Sequence, residues 1–359
     1  DGFNHAQLAT LAGTAFSTAS ASAAFGFDTC YDDFAFTSDF PFVGLKKLGP
    51  YTLTLPGNAP DLGAIDVYNG ELDLTASGDH ALHTYSVSVG MTPDASVCAV
   101  LRLADTALNT DDPGYKRVGP TLSVGAATDS RAILHVGDGA VASGRLLVGS
   151  ASGSAGAVYQ TAGVVTNTGG AANESRIGEN GFGYYRLDGG ELANKGYLQL
   201  GRNSGSTGLI EQRGGTLRLN PGVAPADGVI GDYYNGTFSS RAGVGIFHLA
   251  GGVFDTGGRT FRLGEWAGEN NYSNGLAVLT IENDAQVIIN NAIQLANRNG
   301  SPEAYVNLSG GTLITDYFQK GGNNTAGNTA SAAIAFNGGV LSLPDPGNTV
   351  STFVRTGAN

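Results

Sequence analysis

Short stretches of this chain alternate between apolar and polar residues with a period of two. Residues 184–187, 277–281 and 304–308 are the clearest examples. This period predicts β-strands that bury one face. Nowhere do 12 consecutive residues carry a convincing apolar stripe at the helical period of 3.6, because glycine interrupts almost every candidate. We therefore expect almost no helix, with residues 8–20 as the best exception.

One six-residue phrase recurs along the chain: an apolar residue or Gln, any residue, a small or turn-forming residue, Gly, any residue and an apolar residue. Eight copies and two looser ones span the sequence, about 30 residues apart, within the range typical of solenoid proteins. The copies lie at residues 67–72, 136–141, 160–165, 187–192, 212–217, 249–254, 308–313 and 336–341, with the looser ones at 103–108 and 281–287. A second phrase, an apolar residue followed by Gly, falls between these copies, so each repeat has two short strands and two glycine corners.

The repeats predict a right-handed parallel β-helix, because a short strand with a glycine corner buries its apolar side only by stacking on the next unit. Ten units at about 4.8 Å per coil give a rod roughly 50 Å long. The alternative is a β-propeller, but its blades need about 40 residues and some of these units have only 24. Eight residues are predicted to point inward and stack in columns: Leu187, Leu192, Leu217, Leu249, Phe254, Leu308, Leu313 and Leu341.

Composition narrows the class of protein. The 359 residues include 56 Gly but only 12 Pro, without glycine at every third position, which excludes collagen. A net charge of −12 argues against nucleic acid as a partner. The chain has no run of 18 apolar residues, so no membrane-spanning helix is predicted. We interpret residue 1 as a mature N-terminus. The low content of Met, Lys and Cys resembles that of exported proteins, in which Cys30 and Cys98 could be two free thiols or, by our hypothesis, a disulfide.

A resemblance to a known family comes from residues 43–74. They read Val-Gly-Leu-Lys-Lys-Leu-Gly-Pro-Tyr-Thr-Leu-Thr-Leu and, after a short loop, Val-Tyr-Asn-Gly-Glu-Leu. This resembles the autotransporter-associated β-strand repeat, with Tyr51 where that pattern usually has Gly. Residues 122–343 are similar to the looser Gly-Gly-Thr-Leu repeats of large bacterial surface passengers. The resemblance implies an exported β-helix that acts as a stalk or adhesin, on the bacterial outer surface or outside the cell, and it transfers no catalytic residue.

Three regions follow from these patterns. Residues 1–42 lack the glycine phrase and carry six Phe between positions 25 and 42, which predicts an N-terminal cap or docking segment. Residues 43–343 hold the β-helix repeats, and residues 344–359 form a polar C-terminal tail. Because a bare terminal coil exposes strand edges, we expect a cover. The candidates are the next coils of a longer precursor, the chain's own tail folded across, and, as the favoured one, the N-terminal segment of a neighbouring copy. End-to-end filaments would result.

Catalytic and metal motifs are sparse. His80 and His83 are closely spaced but lack a third ligand, so we expect a polar loop, no metal site and no cofactor. The best group for acid–base chemistry on a glycan is Asp255, Arg259, Arg262, Glu265 and Glu269. The same residues would serve solubility equally well.

A more suggestive pattern follows the apolar-Gly corners, where aromatic residues recur with Asn and carboxylates. The predicted ribbon comprises Tyr184, Tyr185, Tyr233, Tyr234, Trp266 and Tyr272. Stacked loops would align these side chains along one edge of the rod, where they suit sugar rings or another protein. Alternatively, they fold back and cover the coil edges.

The sequence therefore predicts a non-enzymatic structural or adhesive protein. Its expected partners are copies of itself, head to tail, or surface glycans and proteins, with no nucleic acid and no membrane insertion of this segment. The alternative is a glycan-binding or polysaccharide-degrading β-helix enzyme.

Overall fold

The computed structural model of the chain describes fifteen segments. They are residues 24–36, 44–55, 63–75, 81–84, 86–104, 107–109, 121–168, 175–195, 198–219, 237–238, 243–264, 275–296, 302–320, 330–344 and 354–355. These segments form three parallel sheets and contain no α-helix. The predicted parallel β-helix is thus confirmed, while the possible helix at residues 8–20 lies outside the described residues.

Sheet A contains eight strands. They are β1 (Ala24–Asp28), β3 (Gly44–Leu48), β5 (Ala64–Val67), β8 (Ser86–Val89), β11 (Thr121–Val124), β14 (Arg145–Val148), β17 (Ser175–Ile177) and β20 (Leu198–Leu200).

Sheet B contains twelve strands, one from each turn of the solenoid, and we number the coils 1 to 12 by these strands. They are β2 (Phe34–Ala35), β4 (Thr52–Thr54), β6 (Gly70–Asp73), β9 (Cys98–Leu103), β12 (Arg131–Val136), β15 (Ala155–Gln160), β18 (Phe182–Leu187), β21 (Thr207–Gln212), β24 (Val244–Leu249), β27 (Leu276–Ile281), β29 (Glu303–Leu308) and β31 (Ser331–Phe336).

Sheet C contains the remaining thirteen strands. They are β7 (Ala81–His83), β10 (Ala107–Asn109), β13 (Ala140–Ser143), β16 (Val164–Asn167), β19 (Glu191–Asn194), β22 (Thr216–Leu219), β23 (Thr237–Phe238), β25 (Val253–Asp255), β26 (Phe261–Leu263), β28 (Gln286–Leu295), β30 (Thr312–Lys320), β32 (Val340–Ser342) and β33 (Val354–Arg355).

The core runs along the inside of the coils, because alternate side chains of strands such as β12, β15, β21 and β24 point inward and stack on the same position of the next coil. Seven of the eight predicted core residues are buried: Leu187, Leu192, Leu217, Leu249, Phe254, Leu308 and Leu313. The prediction is wrong for Leu341, which is 37% exposed. In the described structure its strand β32 pairs only with β30, so a neighbouring coil packs against Leu341 on one side only.

Glycine lets the sheets meet closely at the corner before sheet B. Gly208 is an inward position of β21, and a Cβ there would overlap the carbonyl oxygen of Ile177 and lie 2.6 Å from the nitrogen of Gly201. Its register partners on either side, Gly183 and Gly245, are glycines too. The corner is therefore narrower than any side chain allows.

The described part of the predicted N-terminal segment belongs to the solenoid. Strands β1 and β2 form coil 1 and pair in parallel with β3 and β4. Phe27 and Phe34 each pack edge-on against Phe36, with ring centroids 5.1 Å apart in both pairs. Coil 1 thus lines the interior with aromatic rings, as the later coil around Phe247, Phe254 and Phe261 also does. Of the predicted tail, β33 returns to sheet C and pairs with β30.

One lysine side chain lies inside the coils. Lys47 is fully buried, and its Nζ donates to the carbonyl oxygens of Leu48 and Gly49, both at 2.8 Å, and of Asn69 at 3.0 Å. Burial lowers the pKa of Lys47 to about 8, against the opposing effect of Asp28 and Asp33. These hydrogen bonds join the corner of coil 2 to that of coil 3.

Candidate binding surface

The outer face of sheet B, which we call the B face, carries a continuous column of apolar side chains. In eight successive coils, 4 to 11, the middle outward position is Val100, Ile133, Ala157, Tyr184, Leu209, Ile246, Val278 and Tyr305. We call this set the apolar column. The first seven are half-buried and Tyr305 is exposed, so all retain contact with solvent. A soluble surface does not require eight stacked apolar residues, which makes the column a candidate binding site.

A second outward position of the same strands forms a polar column. Its members in coils 4 to 11 are Arg102, His135, Tyr159, Arg186, Glu211, His248, Thr280 and Asn307. Three of them form ion pairs at 2.7 to 2.8 Å, Arg102 with Glu71, Arg186 with Asp188 and Glu211 with Arg213. Nε2 of His248 lies within hydrogen-bond distance of Oε1 of Glu282, at 2.7 Å. Most of the charge on this column is thus compensated locally.

The two columns are joined by a hydrogen bond at coils 7 and 8. The Tyr184 hydroxyl donates to Oε2 of Glu211 at 2.5 Å, while Nε of Arg213 donates to Oε1. Burial and the Glu211 carboxylate raise the pKa of the Tyr184 phenol. Burial opposes ionisation of Glu211, but the bonds from Tyr184 and Arg213 outweigh it and lower the pKa of Glu211. At neutral pH the pair is therefore a fixed phenol and carboxylate.

Three rings follow one another across coils 5 to 7. His135 stacks on Tyr159 at a centroid distance of 5.3 Å and an interplanar angle of 19°, and Tyr159 meets Tyr184 edge-on at 5.7 Å. Burial and the nearby Arg102 lower the pKa of His135, which favours a neutral ring. Because His135 lies over one face of Tyr159, that face is closed to a sugar ring. The arrangement suits packing against a flat surface better than stacking on a glycan.

The third outward position, which we call the edge column, borders the apolar column on its other side. In coils 4 to 11 it holds Cys98, Arg131, Ala155, Phe182, Thr207, Val244, Leu276 and Glu303. Phe182 is 45% exposed. The central coils 6 to 10 therefore widen the apolar column, while charged residues lie towards its ends.

The predicted aromatic ribbon is only partly tested by the structure. Tyr184 lies on the B face, as part of the apolar column. The prediction is wrong for Tyr185, which is fully buried because consecutive residues of a strand point to opposite faces. The other four members, Tyr233, Tyr234, Trp266 and Tyr272, lie outside the described residues, so their place on a ribbon stays a prediction.

The apolar column was missed because the sequence was aligned on its glycine corners. The signal lies in the strands, where both phases of the alternation are apolar, as in Val-Gly-Ile-Phe-His-Leu at 244–249. The corner phrase identifies the last inward residue of the strand, Leu249 in this example. Aligning the repeats on the residue three positions earlier, here Ile246, would have displayed the column.

The predicted disulfide is not present. Cys30 and Cys98 are both free and exposed thiols. Cys30 follows β1 in coil 1, whereas Cys98 begins β9 in coil 4. Three coil steps of about 4.8 Å put the two levels roughly 14 Å apart, and a disulfide needs Cα atoms within about 7 Å.

The remaining candidate sites are only partly covered by the described residues, and His80 of the predicted polar loop lies outside them. Within the described ranges, no three His, Cys, Asp or Glu side chains are grouped as metal ligands. Of the predicted glycan-cleaving group, Glu265 and Glu269 lie outside those ranges, and Asp255 accepts a hydrogen bond from the backbone of Gly257 within a turn. A search of the same ranges finds no helix with the length and apolar character needed to cross a membrane.

Comparison with protein-family models, with curated proteins and with solved structures finds no match to this chain. The resemblance to autotransporter repeats therefore stays a prediction.

Proposed function

We propose that this chain is a non-enzymatic structural or adhesive rod of a bacterial outer surface or of the extracellular space, and that the B face is its contact surface. The observation that carries the proposal is the apolar column, eight coils long and exposed to solvent. A core residue must be apolar, but an outward residue of a solenoid need not be, so the fold does not explain the apolar character of this column. Contact with another apolar surface would explain it.

The pairing of the charged groups supports a contact role over catalysis. A general acid or base must be free to exchange a proton with a substrate. On the B face, Glu211 is held by Tyr184 and Arg213, and Glu282 lies 2.7 Å from His248. Such fixed pairs maintain surface shape and compensate charge. They leave little capacity for proton transfer at those carboxylates.

A bead assay tests the proposal. Beads coated with the chain should cluster or adhere to target surfaces, and Ile246→Glu should remove this property, because a carboxylate in the apolar column opposes burial. Val164→Glu is the matched control, since Val164 is 39% exposed on sheet C. Release of reducing ends from polysaccharides by the purified chain, abolished by Glu211→Gln, would instead establish an enzyme.

End-to-end assembly is a second candidate, favoured by the exposure of coil 12. Phe336 is 53% and Val340 is 56% exposed. Strand β31 pairs in the described structure with β29 only, so it presents an edge to which a strand from another copy can add. Filaments seen by electron microscopy, and their loss on deleting residues 1–42, would support this mode of assembly.

A further inference from the structure

We propose that the B face binds the B face of a second copy of the chain, with the two rods antiparallel and the two-fold axis passing between coils 7 and 8. This inference rests on the proposed contact function of the B face and adds the partner and its orientation. The axis runs along the strand direction, so each outward column of one copy faces the same column of the other in reverse order.

The apolar column is complementary to itself in this register. Tyr184 of one copy faces Leu209 of the other, and Ala157 faces Ile246. Further out, Ile133 faces Val278, and Val100 faces Tyr305. The smallest residue, Ala157, thus opposes the larger Ile246, and each tyrosine faces an aliphatic residue, which favours complementary packing of the two surfaces.

The polar column selects the antiparallel orientation. At its centre Arg186 of each copy faces Glu211 of the other, and the pair occurs twice because of the two-fold axis. With the rods parallel and the axis along them, the polar column would face the edge column instead. Arg186, paired with Asp188 of its own chain, would then lie against Phe182 and gain no partner from the second copy.

Beyond the central pair, no like charges oppose one another in the antiparallel register. Tyr159 faces His248, His135 faces Thr280, and Arg102 faces Asn307. Each of these pairs joins a polar group to a hydrogen-bonding or neutral one. The match of the polar column therefore extends over all eight coils, whereas towards the ends of the edge column Arg131 faces Leu276 and Glu303 faces Cys98.

The B face is large enough for a stable dimer. Strands of six residues are about 20 Å long, and eight coils span roughly 34 Å, so the face covers about 700 Å². Specific protein–protein interfaces bury about 600 to 1,000 Å² on each partner. Two B faces stacked like the sheets of a sandwich fall within this range.

Sedimentation velocity of the full chain tests the proposal. We expect a dimer at micromolar concentration, a rise of at least 100-fold in the dissociation constant for Ile246→Glu, and no change for Val164→Glu. Circular dichroism should show that both variants keep the β-helix. A chain that stays monomeric at about 100 µM, or a dimer that Ile246→Glu leaves intact, would overturn the inference.

A charge exchange tests the orientation. Arg186→Glu alone should weaken the dimer at least tenfold, because it places two carboxylates opposite each other twice. Mixing this variant with the single variant Glu211→Arg should recover most of the loss, because both central pairs are then complementary between the copies, while residues 186 and 211 still carry like charges within each chain. A mixture as weak as the single variants would contradict the antiparallel register. If the chain is monomeric but still adheres to surfaces through the B face, the dimer fails and the proposed function survives.

Discussion

Neighbouring residues of the sheet B strands have opposite environments but similar chemistry. The inner column comprises Leu101, Leu134, Val158, Tyr185, Ile210, Phe247, Leu279 and Val306, and all eight are buried. The outer apolar column consists of the residues immediately before them, and all eight keep some exposure. The solenoid needs the inner column, because the coils share one core. It does not need the outer one, so apolar chemistry there points to contact with another molecule.

Truncating an inner residue should destabilise the chain more than truncating its outer neighbour, and we expect the largest difference in unfolding free energy at coil 9. Phe247 packs against Phe254 and Phe261 at centroid distances of 4.9 and 6.3 Å. Phe247→Ala should lower the free energy of unfolding by about 3 to 5 kcal/mol, because it opens a cavity among these rings. Ile246→Ala should cost less than about 1 kcal/mol. Urea unfolding at concentrations at which the chain is monomeric measures both.

In coil 8 the inner and outer positions can be compared by adding side-chain volume at the inner one. Gly208→Ala should lower the free energy of unfolding by about 3 kcal/mol or more, because the new methyl group overlaps the backbone of Ile177 and neither side can yield easily. Leu209→Ala, one residue later on the outer face, should change it by about 1 kcal/mol at most. Equal thermal shifts for the two variants would contradict the separation of fold from contact surface.

Sequence alone gave the fold but not the surface, for a physical reason. Corner glycines are imposed by backbone geometry and mark each coil, so residues such as Leu187 and Leu217 were placed correctly. The outer face is set by registry between coils, which depends on loops of varied length between the strands. The phase was nevertheless readable for Tyr184 and Tyr185, because Leu187 is predicted to point inward and the period of two places Tyr185 on its face and Tyr184 on the opposite one. The unequal loops also hid the separation of Cys30 from Cys98.

Lys47 is a charged residue inside the coils, and its burial makes the stability of the chain depend on pH. Its folded pKa, about 8, lies below its value of about 10.4 in an unfolded chain. Between these values the unfolded state binds more protons, so this group makes stability rise with pH from about 8 to about 10. The free energy of unfolding of the native chain, relative to that of Lys47→Met, should therefore increase by up to a few kcal/mol over this range.

Guanidinium titrations of both chains at pH 7, 8, 9 and 10 measure that difference. The matched control is Lys46→Met, since Lys46 is exposed on the same strand and should give a nearly constant difference. A difference that falls with pH for Lys47→Met would mean that the buried amine is stabilised as a cation, by Asp28 and Asp33.

The smallest difference in stability is expected between the Phe variants of the inner Tyr185 and the outer Tyr184. Tyr185 donates its hydroxyl to Oε1 of Gln160 at 2.5 Å in the core, so Tyr185→Phe leaves a buried amide oxygen without this donor and should cost about 1 to 3 kcal/mol. Tyr184→Phe should cost at most about 0.5 kcal/mol, because Glu211 keeps its bond from Arg213. It should instead raise the pKa of Glu211, whose ionised form the Tyr184 hydroxyl favours. Carboxyl chemical shifts followed by NMR through the acid range, together with urea midpoints, read both effects. A loss of stability as large for Tyr184→Phe as for Tyr185→Phe would mean that the outer column, too, is required by the fold.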